Sequence, residues 1–365
     1  MNIGIPLERR PYEYRVGLPP AGVALFRQHG HRVYVESTAG QGAGFSDQDY
    51  TRAGATVVFS TEEVYTRADL LLKFARPLLD ELELMHSQQT IAGFLHLSAA
   101  RQDKIDLLLR RKIASLAYDQ MVEPDGYRPV VAPLSQIGGR MAVQVAALLL
   151  QNNQGGRGIL LGGVAGVPPA EVVILGAGVV GSTAAAGFAA AGAHVTILDV
   201  DLRRLQELQS RMREPLVTLL STPHNVARVT AYADIVVGAA LVPGQRAPLV
   251  VTRDMVRSMR PRSLIIDMSI DEGGCVETSR PTTYSSPTYS EEGVVHFCVP
   301  NMSGVLGRTA TYALYNGAYT YLEAIAVLGL EPAMAAHPAL EHGICTFNGE
   351  VRHLTRLTAG GGAGR

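Results

Sequence analysis

The sequence predicts an α/β fold of two Rossmann-like domains, each a doubly wound parallel sheet, arranged around a cleft. Two observations carry this prediction. Short apolar runs alternate with amphipathic stretches from the first residues, and the alternation begins again after a long apolar helix near the middle of the chain. The chain has 365 residues, which is too long for one ordinary hydrophobic core and fits two domains.

The first alternation occupies residues 1 to about 130. Its predicted strands are NIGIP, RVYVE, ATVVF, DLLLKF, TIAGFL and IASLAY. The predicted helices between them are PPAGVALFRQHG, SDQDYTRAG, TEEVYTRA and ARQDKIDLLLRRK. This order is typical of a parallel sheet with helices on both faces.

The rest of the chain repeats the pattern after one long helix, predicted over residues 135–151 with Ser135 as its N-cap. The second alternation runs from EVVILGAG through HVTILDV, DIVVGAAL and SLIIDMSI to about residue 300. From Arg308 the pattern is helical again, most clearly in ALYNGAYTYLEAIAVLG, and the tail TAGGGAGR is expected to be disordered. The pattern therefore changes near residues 130 and 305.

Composition argues against several classes of function. The formal net charge is −1 without a basic or acidic block, so neither nucleic acid nor a membrane surface is an expected partner. The three cysteines have no CxxC spacing, which predicts reduced thiols and neither a disulfide framework nor a zinc site. The N-terminus lacks the apolar core of a signal peptide, and the glycine-rich stretch from Gly158 to Gly181 is a poor membrane span. A cytoplasmic location is the expectation.

The second alternation opens with a dinucleotide-binding pattern. A predicted strand is followed by Gly176, Gly178 and Gly181 in GxGxxG spacing, then by a helix of small residues and a second strand ending at Asp199. Gly176 permits the tight turn, Gly178 lets the backbone approach a pyrophosphate, and Gly181 lets the helix pack close to the strand. The N–H groups at the start of the helix then face the phosphates.

Acidic residues after two strands predict further contacts with the cofactor. Asp199 is placed to bind the ribose 2′-hydroxyl and would repel a 2′-phosphate, which favours NAD over NADP. Arg203 and Arg204 weaken that preference, because one of them could reach the adenosine ribose, although adjacent arginines usually form a solvated helix start. Asp271 follows the run SLIIDMSI before Gly273 and faces a nicotinamide in this interpretation; the alternative is a turn-forming aspartate.

With these residues the chain resembles the alanine dehydrogenase family, in a superfamily that also contains the NAD-binding part of proton-translocating transhydrogenase. The motifs that carry the resemblance are YRVGLPPAGV, GAGFSDQDY, FLHL, GGRGILLGGVAGVPPA and DEGGCVETSRPTTYSSPTY. The resemblance extends from residue 1 to roughly residue 350. It implies reversible, NAD-linked oxidative deamination of L-alanine to pyruvate and ammonia. It also implies that residues 1–130 and 306–365 form one domain, which binds the small amino-acid or 2-oxo-acid substrate. Residues 131–305 would form the other domain and bind NAD, and the assembly would be a homohexamer.

The resemblance further implies residue roles. Arg15 would pair with the substrate carboxylate, His96 would act as the acid and base, and Asp271 would orient the reacting amine and water. We expect His96 at the end of the strand TIAGFL, on the same face as Phe94. The implied cofactor-lining residues are Ser135, Gly176, Gly178, Val179, Val180, Gly181, Asp199, Arg204, Ser221, Ala240, Leu241, Met268, Ser269, Ile270, Asp271, Arg280, Val299, Pro300, Asn301 and Met302.

The substrate half departs from the family pattern in the stretch LLLKFARP. Ala75 stands where the family has its second substrate-binding lysine, so Lys73 and Arg76 are the candidate replacement cations. Strand alternation would put Lys73 and Ala75 on one face and Arg76 on the other. Phe94 replaces a common tyrosine, and the loop VPNMSGVLGR differs from the usual alanine-and-proline version. Leu328 gives no support to a histidine-bearing metal site, so no metal is expected.

Two other hypotheses stay open at this point. A related NAD-dependent dehydrogenase could act on a different amino or imino acid through a pocket remodelled around Ala75. A non-catalytic or transhydrogenase-like NAD-binding subunit is the other, and the joint presence of Arg15, His96 and Asp271 argues against it.

Overall fold

The computed structural model describes residues 1–242 and 245–354. The chain divides into two units, of which unit 1 combines Met1–Leu134 with the described part of Ser303–Arg365 and unit 2 is Ser135–Met302. The sequence placed the corresponding boundaries at 130/131 and 305/306. The tail TAGGGAGR lies outside the described residues.

Unit 1 contains an eight-stranded sheet. Its strands are β1 (Asn2–Ile5), β2 (Arg32–Glu36), β3 (Thr56–Val58), β4 (Leu70–Leu72), β5 (Thr90–Gly93), β6 (Ala114–Ala117), β14 (Ile344–Phe347) and β15 (Glu350–Val351). The order is β15-β14-β6-β5-β4-β1-β2-β3; β1 to β6 are parallel, and β14 and β15 add two antiparallel strands at one edge. The order reverses between the neighbouring strands β1 and β4, which is where such sheets bind ligands beyond the carboxyl ends of their strands.

The helices of unit 1 mostly connect successive strands. They are α1 (Pro20–Gln28), α2 (Asp47–Arg52), α3 (Thr61–Arg67), α4 (Leu79–Glu83), α5 (Gln102–Arg110), α11 (Gly307–Leu328), α12 (Leu330–Ala336) and α13 (Pro338–Gly343). Local sequence fixes several starts: Ser46 and Asp49 form a reciprocal capping box at α2, and Pro20 opens α1.

Unit 2 contains a seven-stranded sheet with the same reversal of order. Its strands are β7 (Glu171–Leu175), β8 (His194–Asp199), β9 (Val217–Leu220), β10 (Ile235–Gly238), β11 (Leu264–Asp267), β12 (Thr288–Glu291) and β13 (Val294–Phe297). The order is β12-β13-β11-β10-β7-β8-β9, parallel except for β12. The helices are α7 (Val179–Ala190), α8 (Leu202–Arg211), α9 (Pro223–Thr230) and α10 (Arg253–Ser258); α6 (Val131–Leu149) begins in the last residues of unit 1.

The predicted fold class is confirmed, with the refinement that each sheet is mostly parallel. Every predicted strand and helix of the first alternation is present. Central strands such as β10 and β11 are buried along their whole length, because helices cover both faces of a parallel sheet. The expectation that Ser135 caps the long helix is wrong: α6 starts at Val131, and Ser135 lies inside it.

Candidate functional site

The predicted substrate residues of unit 1 lie on the loops that follow β1, β4 and β5. These three strands are neighbours in the order β5-β4-β1, so their carboxyl ends lie side by side at one end of the sheet. Arg15 comes from the loop after β1, Phe74 from the loop after β4, and His96 from the loop after β5. Side chains far apart in sequence are therefore brought together where the strand order reverses.

Three side chains contact the guanidinium of Arg15. Its Nε and Nη2 donate to the two carboxylate oxygens of Glu13 at 2.5 Å each, and its Nη1 donates to Ser303 Oγ at 2.9 Å. The guanidinium lies 3.8 Å from the centre of the Phe74 ring, and the residue is 4% exposed. The fork of Arg15 is therefore fixed in direction by a paired carboxylate on one side and an aromatic face on another.

Two phenylalanine rings connect Arg15 to His96. Phe74 stacks on Phe94 with 5.6 Å between ring centres, and Phe94 lies 6.3 Å from the imidazole of His96. We call Arg15, Phe74, Phe94 and His96 the substrate row. His96 is exposed and has a left-handed backbone conformation (φ 45°, ψ 44°). Its backbone N–H donates to Asp119 Oδ1 at 3.2 Å. The strand ends at Gly93, so His96 is presented by a loop and not by strand alternation as predicted.

Lys73 does not fit the prediction that it binds substrate. Its ammonium is 3.0 Å from Glu81 and 3.2 Å from Glu8, and the residue is 1% exposed. Burial alone would lower the pKa of Lys73, but the Glu8 carboxylate and its neighbours outweigh it and raise the pKa above its ordinary value. Lys73 is thus an interior cation held between two carboxylates, and β4 ends before it, so the predicted alternation of faces does not extend to Ala75.

Glu8 links this buried ion pair to the substrate row. Its Oε1 accepts the N–H of Phe74 at 2.6 Å and that of Ala75 at 3.3 Å. No role for Glu8, Glu13 or Glu81 is evident from the sequence, and their partners lie 66, 2 and 8 residues away in the chain. Arg76, the other candidate cation, is exposed, and its carbonyl accepts from Arg10 Nε at 3.0 Å.

In unit 2 the three glycines of the motif form a cradle that needs the absence of side chains. Gly176 has φ +106°, and a Cβ there would lie 2.4 Å from the carbonyl oxygen of Ala239. A Cβ on Gly181 would lie 1.8 Å from the carbonyl oxygen of Gly176, whereas a Cβ on Gly178 would point into open space. Gly178 is the N-cap of α7 and has no side-chain capping bond. The N–H groups of the first turn are thus open to an anion, as a bound pyrophosphate requires.

Asp199 ends β8 beside this cradle. Its Oδ2 accepts the N–H of Ala177 at 2.6 Å, and its Oδ1 accepts that of Asp201 at 2.8 Å. Arg204 lies 4.0 Å from the carboxylate. These contacts fix the carboxylate at the end of the strand next to β7, where an acid can accept a ribose hydroxyl. The Asp199 carboxylate, the open N–H groups at the start of α7 and the glycine cradle together fit a dinucleotide.

The other predicted cofactor residues follow the strands of unit 2 or lie beside them. Ser221 donates its N–H to the carbonyl of Asp199 at 2.9 Å, and Ser269 Oγ donates to the carbonyl of Ala240 at 2.8 Å. The Arg280 guanidinium lies 4.1 Å from the Tyr289 ring centre, and the Met302 carbonyl accepts from the Tyr284 hydroxyl. Val179 and Leu241 are exposed, Val299 and Ile270 are buried, and Ser135, Val180, Met268 and Pro300 are intermediate.

Two aspartates after β11 have different environments. Asp271 is exposed and accepts the N–H of Asn301 at 3.0 Å, on a short helix that follows the strand end. Asp267, which sequence reasoning passed over, is the last residue of the strand, and its carboxylate accepts the N–H groups of Ser269, Cys275 and Val276. Burial raises the pKa of Asp267 although these donors oppose the shift. Asp267 stabilises the loop, and Asp271 is the carboxylate available to a ligand.

No described helix is both long and apolar enough to cross a membrane. Residues 1–242 and 245–354 contain no group of three or more His, Cys, Asp and Glu side chains arranged to hold a metal ion.

Comparison with known proteins gives matches over nearly the whole chain. The family model "Alanine dehydrogenase/PNT, N-terminal domain" matches residues 4–138, and the corresponding C-terminal domain model matches residues 142–354. The chain is 43% identical over 354 residues to the alanine dehydrogenase of Methanococcus maripaludis, covering 97% of this chain and 95% of that protein. It is 41% identical over 351 residues to the alanine dehydrogenase of Mycobacterium tuberculosis, covering 96% and 94%.

Solved structures agree with these relatives. An L-alanine dehydrogenase superposes with a TM-score of 0.92 at 42% identity, covering 97% of both chains. A transhydrogenase from Sinorhizobium meliloti superposes with a TM-score of 0.81 at 26% identity, covering 97% of this chain and 99% of that one.

Proposed function

Because the chain belongs to the alanine dehydrogenase/PNT family, we propose that it catalyses the reversible, NAD-dependent oxidative deamination of L-alanine to pyruvate and ammonia. Overall, L-alanine, NAD⁺ and water give pyruvate, ammonium, NADH and a proton. The residue roles rest on the substrate row. The guanidinium of Arg15 and the imidazole of His96 lie at the two ends of one pair of stacked phenylalanine rings.

Arg15 receives the substrate carboxylate in this proposal. Glu13 holds the guanidinium through Nε and Nη2, so the incoming carboxylate would compete with Ser303 for Nη1. A fixed guanidinium binds a carboxylate with a strong, charge-assisted hydrogen bond. With Lys73 enclosed by Glu8 and Glu81, Arg15 carries more of this task than it would beside another cation that could reach the carboxylate.

His96 and Asp271 handle the protons and the amine. An imidazole exchanges protons near neutral pH, which suits water addition to an imine and the departure of ammonia. His96 is exposed on its loop and can therefore reach a ligand. The Asp271 carboxylate is also exposed and can accept hydrogen bonds from an ammonium or an attacking water.

Unit 2 holds the dinucleotide. Gly176, Gly178 and Gly181 with the start of α7 receive the pyrophosphate, and Asp199 receives the ribose. When bound, NAD accepts the hydride that leaves Cα of the amino acid. The remaining lining residues predicted for it follow the neighbouring strands, and Ser135 lies on α6.

The same proposal includes a homohexameric assembly and a cytoplasmic location, which rest on the family resemblance. Separate evidence favours one variation in substrate. Ala75 stands where the family has its second cation, and Lys73 cannot substitute for it. This would weaken the hold on the carboxylate of any 2-oxo acid, so a substrate that makes further contacts elsewhere would be favoured over pyruvate.

NADH oxidation with ammonia and a series of 2-oxo acids tests the function. Pyruvate comes first, glyoxylate and larger oxo acids follow, and reactions without ammonia serve as controls. Ammonia-dependent oxidation with pyruvate as the best substrate supports alanine dehydrogenase activity, and a better rate with another oxo acid identifies the related dehydrogenase. Oxidation with none of them, by protein that binds NADH, would indicate a non-catalytic NAD-binding protein.

A further inference from the structure

Two cations of unit 1 donate to the backbone of the two residues that follow Ala75, and the first of those residues is itself an arginine. Arg10 Nε donates to the carbonyl of Arg76 at 3.0 Å, and Lys104 Nζ donates to the carbonyl of Pro77 at 2.5 Å. Arg76 itself is exposed at this point, and Arg10 and Lys104 are partly buried. We call Arg10, Arg76 and Lys104 the cation cluster.

The nearby carboxylates are already engaged with other cations. Glu8 and Glu81 hold Lys73, and Glu13 holds Arg15. On the neighbouring positions, Arg9 pairs with Asp80 and Arg101 pairs with Asp103. Within residues 1–242 and 245–354, no carboxylate lies within ion-pair distance of any member of the cation cluster.

Burial and mutual repulsion both lower the pKa values of two members of the cluster. Burial, followed by the charge of Arg76, lowers the pKa of Arg10. Burial, followed by the charges of Arg10 and Arg76, lowers the pKa of Lys104. The buried carboxylates of Glu8, Glu13 and Glu81 oppose this effect without removing it. The positive potential here is therefore only partly compensated, and an anion would relieve it.

We propose that the cation cluster binds a compact oxyanion, either phosphate or the second carboxylate of a dicarboxylic acid. Two guanidinium groups and one ammonium around a two-residue backbone segment match the several acceptor oxygens of such a group. Arg15 is not a member of the cluster, because its guanidinium is paired with Glu13 and lies over the Phe74 ring. The cluster also goes beyond the proposed function, since it takes an anion that alanine and pyruvate do not carry.

Calorimetric titration with inorganic phosphate tests the proposal, with NADH at saturation to fill the pyrophosphate cradle of unit 2. Arg10→Gln and Lys104→Gln should each weaken phosphate binding by about three- to tenfold, the range for partly exposed charges. Arg9→Gln is the matched control, because Arg9 is the adjacent arginine but pairs with Asp80; it should leave the affinity unchanged. The titration needs no turnover, so its failure and the failure of the proposed function are distinguishable.

A second titration identifies the source of the anion. If 2-oxoglutarate binds more tightly than pyruvate and Arg10→Gln removes the difference, the cluster takes a second carboxylate. If phosphate binds and the two oxo acids do not differ, it takes free phosphate. The proposal is overturned if neither anion binds, or if both bind equally well to wild type, Arg10→Gln and Lys104→Gln.

Discussion

At the carboxyl ends of their parallel strands, unit 2 carries backbone groups and unit 1 carries charged side chains. We call these two regions the backbone edge and the charged edge. Both sheets reverse their strand order between the first and fourth parallel strands. At that point unit 2 presents glycines and the uncapped start of α7. Unit 1 presents Arg15 with Glu13, and Lys73 with Glu8 and Glu81. The same topology thus supports two kinds of site, and the loops decide which one forms.

This difference also explains what the sequence could predict. The glycine cradle is local: spacing, turn and helix start all lie within residues 171–199, so the motif could be read directly. The charge pairs of unit 1 are partly non-local. Glu8 meets the backbone of Phe74 across 66 positions, and nothing in LLLKFARP indicates that Lys73 is enclosed by Glu8 and Glu81.

Element prediction shows the same division. Long periodic segments such as α11 were predicted, whereas the strands β9 and β12 to β15 were not. β12 with β13, and β14 with β15, form antiparallel pairs of consecutive strands outside the strand–helix alternation on which the prediction rests. The start of α6 was misplaced because Pro133 lies in its first turn, where proline is tolerated, and Ser135 resembled a cap. Asp267 was overlooked because a buried acid at a strand end and an exposed acid after it look alike in sequence.

The largest expected effect comes from removing the imidazole of unit 1. His96→Ala should lower turnover by roughly 10²–10⁴-fold, the usual share of general acid–base catalysis. NADH affinity should not change, because His96 belongs to unit 1 and the cradle to unit 2. Steady-state kinetics and NADH titration check both statements, with exposed His29→Ala as the control. Near-normal turnover in His96→Ala would remove the catalytic assignment.

Adding a cation to the charged edge should give the next largest effect. Ala75→Lys introduces the cation that the family resemblance implies at this position, and it should raise kcat/KM for pyruvate by an amount comparable to a charge-assisted hydrogen bond, about 1.5–3 kcal/mol. Kinetics with pyruvate measures the gain, and Ala21→Lys, at an exposed alanine on α1, controls for added charge. If native protein is already efficient and Ala75→Lys brings no gain, another cation holds the carboxylate.

Two glycine substitutions separate folding from binding in the backbone edge. The methyl group of Gly178→Ala would point into open space, so this variant should fold normally. It should weaken NADH binding by about tenfold, or ~1.4 kcal/mol. Gly181→Ala would meet the carbonyl of Gly176 and should also lower the free energy of unfolding by roughly 1–3 kcal/mol. Calorimetry and denaturant unfolding measure the two quantities. Unchanged NADH affinity in Gly178→Ala would show that no phosphate approaches that residue.

The smallest expected effect concerns the choice between NAD and NADP. Asp199→Asn keeps an acceptor for the N–H of Ala177 but loses the charge that repels a 2′-phosphate. NADPH should bind the variant about three- to tenfold more tightly than it binds the native protein. Titration of both proteins with NADH and NADPH gives the ratio, and Asp201→Asn is the control on the adjacent loop. Equal binding of NADH and NADPH by the native protein would contradict the role of Asp199.

The most direct test of the two-edge account is Arg15→Lys, with pyruvate kinetics and NADH affinity measured on the same preparation. The lysine keeps a positive charge beside Glu13 but loses the rigid fork that lies over Phe74. The account predicts that kcat/KM for pyruvate falls by at least about tenfold, equivalent to ~1.4 kcal/mol, while NADH binds as it does to the native protein. Unchanged kcat/KM, or a parallel loss of NADH affinity, would contradict the assignment of the substrate carboxylate to Arg15 and of the cofactor to unit 2.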